Sequence, residues 1–474
     1  MTVAMRDTVM TVQPNVKDEL YTESVVRSVF EPLVATDPDL RLIPLLAETW
    51  ENPTELVWRF HLRRGVLFHD RTEMVADDAR RSIEATRADS GSDFQRHLAH
   101  VTGVSVPDRY TVEVTTDVPH NLPASMSFLR IFRDGPGGAR LGTGPYKIRE
   151  WKKGQTMRLT AFDPYWRGSP AYSEVSILFS GNADARADWL MSGQVQLAME
   201  LPRRRLIRVL DSPELDVIVR PGISLTYLGF DVGRAESTGV AGKNPFQDRR
   251  VRQAVAMCID RTAIVDGPLL GFATEAWQIF PPDVFGYTPG LRMPRRDLAA
   301  ARELLAAAGY PRGFRVRLDT GEARLAVAET LRLQLSDVGI QADVSAMAGD
   351  SFFDRLYKGE STLYLTGWTC EAADGQEMLD ACFHTPSAPG QSWIANVGHY
   401  RNPELTTVLR ALSETTEQRA RLQLLGSASA IIMSDVAWVP LVIENENYGV
   451  SKRLEFNPRA DGKLDLYSIR PRTP

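Results

Sequence analysis

The chain has 474 residues, of which 43% are hydrophobic and 24% are charged. This composition is typical of globular proteins and excludes a mostly disordered chain, and the length predicts two to four packed units at about 150 residues each. Fifty-five basic against sixty acidic side chains leave a net charge of −5. This balance argues against nucleic acid as the main partner, because binding it draws on a basic excess.

Strand-like and helix-like segments alternate along the first half of the chain. Residues 56–62 read as a strand, and residues 75–83 read as a helix with acidic residues in its first turn. The sequence around Lys153-Gly154 predicts two strands, and residues 182–193 predict a helix. Such interleaving favours mixed α/β layers.

The second half continues the same pattern. Residues 223–230 form an apolar strand pattern, a strong helix pattern starts at Phe246, and another helix is predicted over 297–308. Glycine and proline at Gly309 and Pro311 are expected to stop that last helix.

A β-α-β unit is predicted further along, with strands at 315–318 and 341–344 and a helix over 326–338. A crossover of this kind places its two strands parallel. Residues 438–443 predict a final apolar strand, and the sequence shows no tandem repeat or low-complexity linker.

The sequence carries no catalytic motif: G-x-S-x-G, the P-loop, G-x-G-x-x-G and H-E-x-x-H are all missing. We therefore expect no enzyme activity, no cofactor and no protein-held metal. Cys258 reads as a buried apolar residue, whereas Cys370 and Cys382 flank one short segment and leave a disulfide open.

No run of about twenty apolar residues is present, so no membrane span is predicted. The first residues, MTVAMRDTVMTVQPN, have neither the basic nor the apolar region of a signal peptide. They fit either a cytosolic protein or a mature secreted chain that has lost its leader.

Four sequence blocks carry a resemblance to a known family. They are LAETWENPTELVWRFHLRRGVLFHDRTEMVADDARRSIEA from Leu46, GTGPYKI from Gly142, NPFQDRRVRQAVAMCIDRTAIV from Asn244 and ARELLAAAGYPRGF from Ala301. In this order they closely resemble the extracellular solute-binding proteins of ABC importers, family 5, the peptide/nickel/opine class.

Arg71 departs from the glycine of the family's "FHDG", so we expect that turn to be made differently. Arg250 and Arg252 are expected to be exposed helix charges.

The resemblance implies an α/β, two-lobed periplasmic-binding-protein (Venus flytrap) fold of the three-domain class with mixed sheets. One lobe would comprise 1–225, with an inserted subdomain, and would be completed by 439–474. The second lobe would comprise 226–438, and the hinge would lie near 225–230 and 439–444. Ligand would then bind between the lobes.

The resemblance also suggests solute contacts in the segment LYLTGWTCEAADGQEMLDACFH, Leu363 to His384. Peptide-binding relatives place an aspartate here against the peptide amine. Asp374 fits that role best, although Glu371 lies close by. Trp368 matches a pocket tryptophan of the family, with a core position as the alternative. His384 is a candidate ligand contact, and direct metal coordination by it is the weaker option.

The segment FLRIFRD, Phe128 to Asp134, resembles the nickel-binding branch, where an arginine clamps the carboxylates of a metal chelate. Arg130 or Arg133 would take that role, since a guanidinium suits a carboxylate with two parallel N–H donors. Arg96 resembles a second ligand arginine of that branch. A solvated arginine face is the alternative for all three.

The predicted function is therefore that of a monomeric solute-binding protein that delivers a small carboxylate-bearing solute to the membrane permease of an ABC importer. Arg96, Arg130 and Trp368 favour a metal chelate such as that of nickel over a short peptide. A di- or oligopeptide binder without a metal role, an opine or sugar binder, and an enzyme or regulator on the same fold remain alternatives. The resemblance implies a periplasmic or membrane-anchored extracytoplasmic location.

Overall fold

The structure is a computed structural model that describes residues 1–385 and 395–472. The chain divides into two compact units, which are residues 1–220 with 446–474 and residues 221–445. We call them the first and second unit. The chain passes from one to the other inside two long strands, and the boundaries predicted at 225 and 439 fall in the same two strands.

In chain order, the helices and strands up to residue 220 are β1 (Thr2–Met5), α1 (Leu20–Val26), β2 (Val34–Thr36), β3 (Leu42–Pro44), β4 (Ala47–Thr54), β5 (Val57–Leu62), α2 (Ala76–Ala88), β6 (Val101–Asp108), β7 (Thr111–Thr116), α3 (Leu122–Met126), β8 (Arg133–Asp134), β9 (Arg140–Leu141), β10 (Tyr146–Lys152), β11 (Thr156–Ala161), β12 (Glu174–Phe179), α4 (Ala183–Met191), β13 (Leu197–Met199) and α5 (Arg203–Leu210).

The remaining elements are β14 (Leu215–Phe230), α6 (Arg249–Cys258), α7 (Arg261–Asp266), β15 (Ala273–Glu275), α8 (Leu298–Ala307), β16 (Arg315–Gly321), α9 (Leu325–Ser336), β17 (Gln341–Met347), α10 (Gly349–Tyr357), β18 (Leu363–Thr369), α11 (Gly375–Cys382), α12 (Pro403–Ser413), α13 (Gln418–Asp435), β19 (Trp438–Ser451), β20 (Leu454–Glu455) and β21 (Arg470–Pro471).

The first unit contains a mixed sheet in the order β10-β11-β12-β1-β13-β19. Strand β1 is parallel to both β12 and β13, whereas β10, β11 and β12 are antiparallel. Val3, Ala4 and Met5 of β1 are completely buried, as expected for a central strand covered on both faces. A separate antiparallel sheet, β4-β5-β7-β6, packs beside α2 in the same unit.

The GTGPYKI block and a later aromatic pair meet at one buried carboxylate in the first unit, and the block from Leu46 reaches the GTGPYKI block through His69. Glu31 accepts hydrogen bonds from Thr143 Oγ1 at 2.8 Å, Tyr165 Oη at 2.7 Å and Trp166 Nε1 at 3.1 Å. His69 Nε2 donates to the Gly144 carbonyl oxygen at 3.0 Å. Burial raises the pKa of Glu31. Thr143 and His69, which belong to the blocks, therefore have structural roles in the first unit.

The second unit contains the order β19-β14-β18-β16-β17, with β15 paired to β19. Strand β16 is parallel to β17 and β18, and α9 connects β16 to β17. The predicted β-α-β unit is thereby confirmed. The helix predicted over 297–308 is confirmed as α8, where Asp297 caps the amide nitrogens of Ala299 and Ala300.

The expectation that Arg252 is an exposed helix charge is wrong. Its side chain is buried, and it donates to the carbonyl oxygens of Phe246, Asp435 and Val436. Asp435 ends α13, so Arg252 satisfies carbonyls that a helix C-terminus leaves without intrahelical partners. Arg250 is exposed as expected and pairs with Asp248 at 2.6 Å.

Cys258, Cys370 and Cys382 are free and buried. Burial raises the pKa of all three thiols, and this disfavours the reactive thiolate form.

Candidate functional site

Arg130 lies inside the first unit rather than on its surface, with 4% of the residue exposed. Its Nη2 donates to Glu23 Oε2 at 2.5 Å, and its Nη1 donates to the carbonyl oxygens of Ser127 and Phe128 at 2.9 and 3.2 Å. The guanidinium is thus bound to a carboxylate of the protein itself. A contact between Arg130 and solute stays a prediction.

Arg133 is also engaged within the first unit. Its Nε and Nη2 bind the two oxygens of Asp78 at 2.8 and 2.5 Å, and its guanidinium lies 4.4 Å from the centroid of the Phe68 ring. Asp78 lies in the first turn of α2. Arg133 therefore fixes this turn to β8, and its predicted contact with solute is likewise untested.

Arg96 belongs to a cluster of charges that we call the Asp18 cluster, formed by Lys17, Asp18, Asp93, Arg96 and Lys463. Arg96 Nη2 lies 2.5 Å from Asp18 Oδ2, and Lys463 Nζ lies 3.7 Å from Asp18 Oδ1. Lys17 Nζ donates to Asp93 Oδ1 at 2.9 Å. Three cations surround two carboxylates, and 51% of the Arg96 side chain is exposed. Arg96 is thus the most exposed charged side chain of a cluster that holds three cations and two carboxylates.

Aromatic rings lie beside this cluster. The His97 ring stacks on Phe128 with centroids 4.2 Å apart, and Lys463 Nζ lies 5.6 Å from the Phe128 ring centroid. Burial, and then the nearby charge of Arg96, lower the pKa of His97 to about 4. His97 is therefore a neutral stacking partner at pH 7, and the positive charge comes from Arg96 and the lysines.

In the second unit, Trp368 lies near the end of β18, opposite Leu225 of β14. The residue is half-buried, and its Nε1 has no hydrogen-bond partner within the described parts of the chain. The next residue, Thr369, is exposed and its hydroxyl is 2.7 Å from that of Ser224. Trp368 thus combines a partly exposed ring with an unsatisfied donor, a combination that a core tryptophan usually avoids.

Asp374 caps α11 and joins it to α13. Its carboxylate accepts from the Gln376 amide at 2.9 Å and lies 2.7 Å from Nη2 of the buried Arg421. Glu371, in the turn between β18 and α11, is exposed. The structure therefore gives Asp374 a supporting role, whereas its predicted contact with solute stays a prediction.

His384 is exposed just after α11, and its carbonyl oxygen accepts from Asn396 Nδ2 at 3.1 Å. Across residues 1–385 and 395–472, no group of three or more histidine, cysteine or acidic side chains is arranged to hold a metal ion.

Sequence reasoning missed several members of these arrangements. Asp18, Glu23 and Lys463 in the first unit, and Arg421 in the second, look like ordinary surface charges in the sequence. No local motif marks them, because each acquires its partner only when distant segments pack together.

A further polar cluster in the second unit was also missed. Arg324 Nη2 donates to Glu444 Oε1 at 2.7 Å, and Thr226 Oγ1 donates to the same oxygen at 2.8 Å. A Cβ on Gly367 would lie 2.7 Å from Arg324 Nη2. The glycine at this position thus leaves room for the guanidinium.

Among the helices of residues 1–385 and 395–472, none has the length and apolar character needed to cross a lipid bilayer.

The chain is similar to known proteins in sequence and in fold. Residues 41–390 match the family described as bacterial extracellular solute-binding proteins, family 5 Middle. The glutathione-binding protein GsiB of Salmonella choleraesuis (strain SC-B67) is 26% identical over 474 residues, with 95% of this chain and 90% of that protein covered.

Two solved structures show the same fold. HbpA2 from Haemophilus parasuis superimposes with a TM-score of 0.88 at 22% identity, over 100% of both chains. The periplasmic murein tripeptide binding protein MppA, in its unliganded open form, gives 0.86 at 19% identity, over 99% of this chain and 97% of that one. The predicted fold class is confirmed.

The family works with ABC permeases, its members are typically periplasmic, and the relatives found are solute-binding proteins rather than enzymes. The resemblance inferred from the four sequence blocks is therefore confirmed: this chain belongs to the family 5 bacterial extracellular solute-binding proteins, which supply solutes to ABC importers.

Proposed function

We propose that the solute is a short acidic peptide of the glutathione type, captured outside the cytoplasmic membrane and passed unchanged to an importer permease. The protein would act as a monomer. The hinge predicted at 225–230 and 439–444 is part of this proposal. GsiB, a glutathione-binding protein that covers 95% of this chain, supports the choice of solute.

The observation that carries the proposal is the half-exposed guanidinium of Arg96 in the cation-rich Asp18 cluster. Glutathione has two carboxylates and one ammonium group, so it needs cations to replace the water around its carboxylates. Arg96 is the cluster's half-exposed guanidinium. A charge-assisted hydrogen bond from it to a solute carboxylate would contribute about 1.5–3 kcal/mol.

The second unit would supply an apolar contact and a negative charge. The Trp368 ring is suited to pack on the peptide, and its unsatisfied N–H is a candidate donor to a peptide carbonyl. Glu371 would pair with the solute ammonium group, since it is the exposed acidic residue of this turn. Asp374 is bound to Arg421 and to the α11 amide. We propose supporting roles for Asp374, Arg130 and Arg133.

Isothermal titration calorimetry on ligand-stripped protein tests the solute class. The ligands are reduced and oxidised glutathione, unrelated di- and tripeptides, and nickel with and without histidine. We expect binding of glutathione and weaker binding of peptides that lack the second carboxylate. If nickel binds only in the presence of histidine, the solute is a metal chelate and the peptide proposal is wrong.

Arg96→Ala should weaken glutathione binding by at least roughly tenfold, a loss of about 1.4 kcal/mol. The matched control is Arg87→Ala, since Arg87 is an exposed arginine on α2. Equal glutathione affinities of the two variants would show that Arg96 does not contact the solute.

Glu371→Gln and Asp374→Asn separate the two acidic candidates. We expect Glu371→Gln to weaken binding with a smaller change in melting temperature than Asp374→Asn. The latter should lower the melting temperature because it breaks the pair with the buried Arg421. If only Asp374→Asn reduces affinity while both variants keep their stability, then Asp374 contacts the peptide amine as the sequence predicts.

A further inference from the structure

A basic and apolar surface lies on the first unit, on the short helix α5 and its neighbours. Ile207 and Leu210 are 58% and 52% exposed, and Met191 at the end of α4 is 45% exposed. Ile207 and Leu210 are three residues apart, so they share a helix face. Met191 shares its face of α4 with Asp188, which pairs with Arg205 of α5. Ile207 and Leu210 thus form one exposed apolar face of α5, and Met191 is a further exposed apolar residue on the helix that Arg205 pairs with.

Arginines flank these apolar residues. Helix α5 reads RRRLIRVL, and its Arg204 and Arg205 pair with Asp184 and Asp188 of α4. For Arg203 and Arg208, the described residues provide no ion-pair partner. Two guanidinium groups beside exposed aliphatic side chains therefore remain available to an external anion.

The basic character extends to the C-terminal hairpin through the loop that follows α5. Lys452 Nζ donates to the Pro213 carbonyl oxygen at 3.0 Å, and the Lys452 amide donates to the Glu214 carbonyl oxygen at 2.9 Å. Arg453, whose side chain is 84% exposed, lies 3.5 Å from Glu214. The Arg472 amide in turn donates to the Arg453 carbonyl oxygen at 2.7 Å.

We call this whole region the α5 surface. Its charged members are Arg203, Arg204, Arg205, Arg208, Lys452, Arg453, Arg470 and Arg472 as cations, and Asp184, Asp188, Asp211, Glu214 and Glu455 as anions. These linked segments thus carry eight cations and five carboxylates, or six with the neighbouring Asp216, on a protein whose net charge is −5. The positive patch is a local property that the total charge conceals.

We propose that the α5 surface binds the anionic headgroups of a lipid membrane and so holds the protein near its permease. Arginine suits phosphate because its planar fork donates two parallel hydrogen bonds. Each basic side chain near an anionic membrane surface adds to the attraction. Exposed aliphatic residues on the same helix are suited to the boundary between headgroups and acyl chains. This role is independent of which solute the protein carries.

Vesicle co-sedimentation of the full chain tests the proposal. The vesicles are pure phosphatidylcholine and phosphatidylcholine mixed with phosphatidylglycerol, at about 0.05 M and about 0.5 M salt. We expect binding to the anionic vesicles at low salt and a strong decrease at high salt, because screening weakens attraction between exposed charges. Equal binding to both vesicles would overturn the electrostatic basis. Binding to neither would overturn the proposal and point to an acidic protein partner.

Arg203→Gln/Arg208→Gln should lower partitioning into anionic vesicles at least roughly fivefold, since two basic contacts are lost. Arg295→Gln/Arg312→Gln is the matched control, because it removes the same charge from exposed positions of the second unit. Ile207→Ser/Leu210→Ser should also reduce binding while the melting temperature stays near that of the parent. Equal losses in the control pair would show that net charge alone, rather than the α5 surface, drives binding.

Discussion

Arg130 and Glu23 form an ion pair in the interior of the first unit. Arg130 Nη2 lies 2.5 Å from Glu23 Oε2, and their side chains are 5% and 1% exposed. The residues are 107 positions apart in the sequence. The pair therefore joins α1 to the segment after α3.

We expect Arg130→Ala to lower the free energy of unfolding by about 3–5 kcal/mol, because it leaves the Glu23 carboxylate buried without its counter-charge. Urea denaturation followed by circular dichroism measures the loss. The double variant Glu23→Gln/Arg130→Met should recover part of it, since no unpaired charge remains. If Arg130→Ala instead keeps its stability and loses solute affinity, Arg130 is the carboxylate clamp that its sequence context suggested.

His69 should make the first unit sensitive to acid. Burial lowers the pKa of His69 to about 4, whereas an unfolded histidine titrates near 6.5. Between these values the unfolded state binds a proton that the folded state does not, so stability falls as the pH decreases from about 6.5 toward 4.

The variant His69→Gln removes this titration and keeps a donor for the Gly144 carbonyl oxygen. From pH 7 to about pH 4.5 it should lose less stability than the parent, by on the order of 2–3 kcal/mol. Urea titrations of both proteins across this range provide the comparison. If the free energies of unfolding of the two proteins change in parallel with pH, then protonation of His69 does not destabilise the folded state.

Gly142 of the GTGPY block should not tolerate a side chain. A Cβ there would lie 2.0 Å from the Val29 carbonyl oxygen and 2.8 Å from a ring carbon of Phe30. We expect Gly142→Ala to cost roughly 1–3 kcal/mol or more, since backbone must shift to relieve the overlap. Gly181→Ala is the control, because nothing lies within 4 Å of its Cβ position. Similar melting temperatures for the two variants would contradict the close approach.

Arg71 occupies the position where the family has glycine, and the turn there adopts the conformation that glycine favours. The φ angle of Arg71 is 70°, so its backbone lies in the left-handed region. The expectation that this turn is made differently is therefore wrong. Arg71→Gly should therefore raise the free energy of unfolding, by up to about 1 kcal/mol. Arg71→Val should lower it, because a β-branched residue disfavours this region. Differential scanning calorimetry of both variants checks the opposite signs.

The sequence by itself determined the elements whose signals are local. The α8 helix begins at the cap Asp297, and β16, α9 and β17 follow their hydrophobic patterns, because capping and periodicity act over a few residues. The family blocks fixed the fold class for a related reason, since close contacts such as those at Gly142 tolerate few side chains.

Only the tertiary structure decided the partners of the charged side chains. Arg130 binds Glu23, Asp374 binds Arg421, and Arg252 binds carbonyls at the end of α13, although each looked like a free or exposed charge in the sequence. A guanidinium or a carboxylate takes whichever partner the packing brings within about 3 Å. That choice depends on segments far apart in the chain, and no local pattern encodes it.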